Sequence, residues 1–249
     1  MRKLFLFFSV VGLSVLMNSC LGDGKNSFTE AYPCYITTDN STYLTYARTL
    51  NGRFITSNEI KLMEPGTFHS ISYSWDESYG TTPISIGGYS YPVYNVTSTS
   101  EEIGKKELYY SEAPDEENPV PLYYSSQFQA VPDEYGTYWN DHWVIAYAYK
   151  IKKGESISAQ FYVPPRSSDE NNAEVVIDVR LTKSGTAEST AEIVEDDVVA
   201  LNMAPIRSQY ISSANQTVNV KFRFYTEGQT GLYTTTNSYP MRYVEYANQ

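Results

Sequence analysis

The sequence holds very little imidazole: His69 and His142 are its two histidines. Proton transfer near neutral pH is usually carried by a side chain that titrates there, so this scarcity already narrows the chemistry. His142 stands in the run Trp139-Asn140-Asp141-His142-Trp143, where Asp141 or His142 could serve as a ligand or an acid–base group. Nothing else in the sequence converges on that run, and a polar strand edge beside anchoring aromatics is the favoured reading. His69 falls on the apolar face of an alternating segment and reads as a satisfied core residue. Cys34 lies between Tyr32 and Ile36 at strand spacing, with no adjacent histidine or basic cluster to acidify it, so it reads as a buried small hydrophobe. The acidic clusters at residues 115–117, 169–170 and 195–197 lack the spacing and central glycine of a calcium loop and read as solvated turns. No zinc-protease, nucleophile-elbow or phosphate-loop motif is present. A carboxylate pair for glycoside hydrolysis need not be adjacent in sequence and stays open. The expectation is a protein without catalytic residues, metal or cofactor.

Aromatics are abundant instead, with 24 Tyr, 10 Phe and 3 Trp. Tyr109-Tyr110, Tyr123-Tyr124 and Tyr135 lead into Tyr138, Trp139 and Trp143. Aromatic faces suit the apolar C–H faces of sugar rings, which makes Tyr138, Trp139 and Trp143 the candidate ligand-binding aromatics. The competing reading is packing: tyrosine buries a large ring while its hydroxyl stays hydrated. Neighbouring strand residues point to opposite sides, which favours packing over a shared platform.

The remaining chemical residue is Cys20. Arg2 and Lys3 precede an apolar run over residues 4–17, and Asn18-Ser19 leads directly into Cys20. Charge followed by a short apolar run is the pattern of a secretion signal, and the run is shorter than the roughly 20 residues that span a bilayer. A small residue before a cysteine is a lipobox. The expectation is cleavage after residue 19 and lipidation of Cys20, palmitate included, giving an outer membrane lipoprotein facing the periplasm or the cell surface. Several acyl chains on one cysteine hold a membrane where a single chain binds marginally. The formal charge of −11 would fall by two more units with Arg2 and Lys3 removed. Such acidity suits neither phosphate backbones nor anionic bilayer surfaces, so nucleic acid is not an expected partner.

The elements that must position these residues are strands. Tyr and Thr richness favours them. Residues 20–31 are small and polar and read as a tether. Residues 32–110 carry several short strands with turn signals at Asn51-Gly52, Pro65-Gly66 and Gly87-Gly88, the pattern of a small OB-like barrel. Residues 111–136 hold four prolines and two acidic bursts and read as a linker. In residues 137–249, Trp143, Ile145, Tyr147, Tyr149 and Ile151 share a face. Val175, Ile177, Val179 and Leu181 oppose Asp178 and Arg180, and Val218, Val220, Phe222 and Phe224 repeat the pattern. One apolar and one polar face per strand predicts an antiparallel β-sandwich. A short helical turn is expected near residues 203–208. The fold class is all-β.

The lipobox region, the passage Met63-Glu64-Pro65-Gly66 leading to Ile71-Ser72-Tyr73, and strands such as Trp143-Val144-Ile145-Ala146-Tyr147 and Ile177-Asp178-Val179-Arg180-Leu181 together resemble the NigD-like lipoproteins. The resemblance implies an N-terminal OB-type barrel, a C-terminal β-sandwich and no catalytic residues. Residues 111–136 are long for that family's domain connection. Three functions stay open: an envelope lipoprotein with a protein-interaction or structural role, a glycan-binding surface lipoprotein of a nutrient-uptake system, and a fimbrial or adhesin subunit. The partners expected are the membrane, through the lipid, and an unknown protein or glycan.

Overall fold

A computed structural model describes residues 27–165, 174–211 and 216–242. Cys20 and the expected signal segment, residues 1–19, lie outside the described residues. Among those described, the regular structure is nearly all strand, as the composition predicts. It divides into two compact units between Gly104 and Lys105.

The first unit holds β1 (Ser27–Thr38), β2 (Thr45–Thr49), β3 (Phe54–Thr56), β4 (Phe68–Asp76), β5 (Thr81–Ile86), β6 (Tyr89–Asn95) and β7 (Thr97–Lys106). The hydrogen-bonded order is β5-β6-β3-β2-β1-β4-β7. The β1–β2 turn is built by Asp39, whose carboxylate accepts from the Thr42 amide at 2.9 Å and the Ser41 hydroxyl at 2.7 Å. The β2–β3 turn uses Gly52 at φ 83°, a conformation that glycine adopts without a Cβ clash. β3 and β6 run parallel, while the other ladders are antiparallel.

Among the described residues nothing pairs β4 with β6, so the OB-like sheet does not close there by hydrogen bonds. Side chains bridge the gap instead. Phe28 of β1 stacks on Trp75 of β4 at 5.3 Å, and both meet Tyr94 of β6 edge-on, at 5.7 and 5.2 Å. Further in, Cys34, Ile36, Ala47, Ile55 and Ile71 form the apolar interior, covered by Ile60 from a single 3₁₀ turn. The strand begins earlier than the sequence suggested: residues 27–31, read as tether, are already β1. Alternation of Phe28, Glu30 and Tyr32 with Thr29 and Ala31 continues the strand pattern outward.

The second unit holds β8 (Leu108–Tyr109), β9 (Gln129–Val131), β10 (His142–Lys152), β11 (Glu155–Tyr162), β12 (Glu174–Gly185), β13 (Glu192–Asn202), α1 (Ala204–Tyr210), β14 (Thr217–Tyr225), β15 (Leu232–Thr234) and β16 (Tyr239–Arg242). β13-β10-β9 face the sheet β15-β14-β12-β11-β8, and β16 pairs with β14. Between them lies a core that includes Trp143, Tyr147, Phe161, Ile177, Phe222 and Phe224. Two ladders of this sandwich are parallel, β12 with β14 and β8 with β11. Parallel neighbours require a long crossover. Here β13 and α1 supply it between β12 and β14.

Residues 111–136 are not a free linker. Leu122, Phe128 and Ala130 belong to the sandwich core. Val120 bridges to Leu181, and Leu122 bridges to both Tyr149 and Thr226. Prolines and acids mark this segment as irregular chain, and a few apolar anchors suffice to pin irregular chain to a sheet.

Candidate functional site

The sequence's candidate aromatics do not form a platform. Trp143 is wholly buried and Trp139 is 2% exposed. Trp143 packs against Phe222 and Tyr239 within the sandwich. Tyr138 is half-buried, its ring 6.0 Å from Trp139. The two tryptophans are therefore core residues, and a sugar cannot stack on them in this fold.

What surrounds Trp139 is an ionic hub. Arg207 of α1 donates from Nε to the Asp141 carboxylate, from Nη2 to the Asp133 carbonyl at 2.9 Å and from Nη1 to the Glu134 carbonyl at 3.1 Å. It also reaches the Arg242 carbonyl on β16. Asp133 in turn accepts from the Trp139 amide at 2.6 Å. Burial pushes the Asp141 carboxyl above the usual carboxylate range, and the Arg207 guanidinium opposes that shift. Asn140 and Asp141 both adopt positive φ, a tight turn held by this hub. The arrangement fixes a loop rather than presenting a group. No sequence motif announces Arg207; its place in the short helical turn expected near residues 203–208 is the available hint.

The other reactive side chains are likewise engaged. The His142 ring Nδ1 lies 2.8 Å from the Asn140 carbonyl. His69 lies half-buried with Nε2 at 3.1 Å from the Thr67 hydroxyl, and burial holds its pKa below the ordinary histidine value. Cys34 is buried, its thiol 3.3 Å from the Tyr32 carbonyl and pushed far above the normal thiol range by desolvation. Among the described residues no group of three or more His, Cys, Asp or Glu side chains is placed to hold a metal ion.

The first unit does bring aromatic and charged groups together at a partly open position, the side-chain bridge between β4 and β6. Phe28, Tyr32, Trp75 and Tyr94 are each half-buried there. The Arg53 guanidinium sits 4.0 Å over the Phe28 ring and pairs with Glu30 at 2.9 Å. Glu30 also accepts from the Tyr73 hydroxyl at 2.6 Å and the Asn51 amide at 2.9 Å. β-strand register explains the grouping: Phe28 is paired with Trp75, and Glu30 with Tyr73, on one face of the β1–β4 ladder. Burial and the neighbouring Glu30 carboxylate raise the Tyr73 pKa far above the phenol range, so this hydroxyl stays a donor. The group offers ring faces and edges, a cation and a committed carboxylate. That is recognition chemistry, without a residue poised for proton transfer. Sequence reasoning missed it because Phe28 and Glu30 were assigned to the tether.

No family model and no curated protein sequence matches the chain. Solved structures do superpose on it. An uncharacterized protein from Parabacteroides merdae aligns with TM-score 0.59 at 12% identity, over 85% of this chain and 98% of that one. A candidate lipoprotein from Bacteroides fragilis aligns with TM-score 0.52 at 10% identity, over 88% of this chain and all of the other. A NigD-like immunity protein from Bacteroides caccae aligns with TM-score 0.47 at 12% identity, over 86% and 97%. At these identities the likeness is one of fold alone.

Proposed function

We propose that this protein is a non-enzymatic lipoprotein of the cell envelope, anchored to the outer membrane by lipid on Cys20, which acts by binding a protein partner. The observation that carries the binding role is the half-buried cluster of Phe28, Trp75 and Tyr94 with Arg53 over its edge. Aromatic anchors beside an arginine are the composition of binding hot spots. A glycan platform would need coplanar exposed rings. Here Phe28 covers Trp75 with 23° between their planes, and Tyr94 stands at 88° to Trp75, so the surface is contoured rather than flat. The anchor rests on the charge, the short apolar run and Ser19 before Cys20. The likeness of fold to a candidate lipoprotein agrees with it. No helix among the described residues is long and apolar enough to cross a membrane.

A photo-crosslinking side chain placed at Asn51, which is exposed beside the cluster, tests the binding role in intact cells. The same side chain at Tyr43, 83% exposed on the β1–β2 turn, is the control. A discrete protein adduct from position 51 and none from 43 is the expected result. Adducts of equal yield from both positions, or a polysaccharide retained by the purified protein, would contradict the reading.

A further inference from the structure

The outer face of the larger sandwich sheet is charged yet buried. Asp178 and Arg180 point away from the core lined by Ile177, Val179 and Leu181, but their side chains are only 1% and 5% exposed. Register sets their surroundings: Tyr162 of β11 and Arg223 of β14 flank Asp178, and Gln160 flanks Arg180. Arg223 takes the Asp178 carboxylate bidentately, from Nε at 2.7 Å and Nη2 at 2.6 Å. Arg180 receives a poorer share. Its Nη1 lies 3.4 Å from the same carboxylate and donates to the Val179 carbonyl at 3.1 Å. The guanidinium lies 5.2 Å from the Tyr225 ring centre, and its buried Nε–H finds no acceptor among the described residues. Two guanidiniums therefore share one carboxylate, and the more deeply buried one is left under-compensated, an arrangement that is costly without a further partner.

The cover over this face is a strap, residues 110–119. One end is fixed at β8, where the Tyr109 ring stacks on Tyr162 and the Tyr109 carbonyl accepts from the Val163 amide at 2.8 Å. The other end is fixed by the bridge from Val120 to Leu181, next in sequence to Arg180. Between those anchors the strap carries Glu112, Asp115, Glu116 and Glu117, of which Glu116 alone is part-buried. Its carboxyl feels the Arg180 charge, and burial outweighs that attraction.

We propose that Arg180 is the receiving half of an intrachain latch, in which Glu116 seats its carboxylate on the Arg180 Nε side and locks the strap over the outer sheet face. The occupant is a residue of this chain because the strap is pinned on both sides of this face, at Tyr109 on Tyr162 and at Val120 on Leu181, and because Glu116, its one part-buried acid, lies within the field of Arg180. Closure adds a charge-assisted hydrogen bond where a buried donor now has none, and it brings a second carboxylate to the two arginines.

Hydrogen exchange on the full chain reads the latch directly. Glu116→Gln is expected to speed exchange of the strap amides about tenfold, the effect of losing one hydrogen bond to a charged group. Arg180→Lys should do the same, and the double variant should exchange no faster than the faster single one. Exchange along β12 should be unchanged in Glu116→Gln, which keeps the test informative if Arg180→Lys unfolds. Unaltered strap exchange in Glu116→Gln overturns the proposal, as do multiplicative effects in the double variant. If Glu112→Gln speeds the strap and Glu116→Gln does not, the assignment to Glu116 is overturned.

Discussion

Arg207 donates its Nε to the carboxylate of Asp141 across 66 positions of sequence, with both side chains nearly buried, and this pair ties α1 to the loop that leads into β10. The same guanidinium holds the carbonyls of Asp133, Glu134 and Arg242, so one side chain joins the loop, the helix and the last described strand. Removing one member of a buried pair strands the other charge. Arg207→Met is expected to destabilise the protein by about 3–5 kcal/mol in denaturant unfolding. A loss under about 1 kcal/mol would show the hub to be dispensable.

Gly136 is the backbone counterpart of that hub. It sits at φ 72°, and a Cβ there would collide with the Asp141 carboxylate and the Arg207 Nε. Gly136→Ala should therefore destabilise, and combining it with Arg207→Met should cost clearly less than the two separate losses together, since both act on one contact. Additive losses, measured in the same unfolding assay, would place the strain elsewhere.

The tryptophans give the third prediction. Trp143→Ala and Trp139→Ala should each cost about 3–5 kcal/mol, the usual penalty for emptying a large aromatic core site. Thermal unfolding and polysaccharide binding measured on the same variants separate core from platform. An unchanged unfolding midpoint with lost glycan binding would restore the platform reading.

Much of the sandwich was legible because its strands obey a strict period of two. Val175 to Leu181 and Val218 to Phe224 place their apolar residues inward as the alternation required. The short helix was also visible, at Ala204–Tyr210 against an expected 203–208. What the pattern could not carry was non-local. Phe28 bridges to Tyr94 through space, and nothing near either residue announces the other. Leu122 sits among prolines and acids, and its burial depends on Tyr149 and Thr226, which are distant in sequence. The packing reading favoured for Trp139 and Trp143 agrees with their burial, since the alternation that places Trp143 with Ile145 and Tyr147 points it inward.

His69 supplies a pH dependence with a definite sign. Burial holds its folded pKa below the unfolded value of about 6.5. The neutral ring is favoured by folding, so the full contribution to stability is present above about pH 6.5 and is lost as pH falls through the folded pKa. The melting temperature should drop between pH 7 and pH 5, and His69→Gln should remove part of that drop. An identical pH profile in the variant would show that His69 does not couple to folding.

Acylation at Cys20 is the most direct test of the lipid anchor. Cells expressing the wild-type chain and Cys20→Ser are grown with radiolabelled palmitate and then fractionated. The wild-type protein should carry label and pellet with outer membranes, while Cys20→Ser should be unlabelled and released from the membrane fraction. Equal partitioning of both forms with outer membranes, with no palmitate on either, would contradict the lipid anchor and with it the central claim.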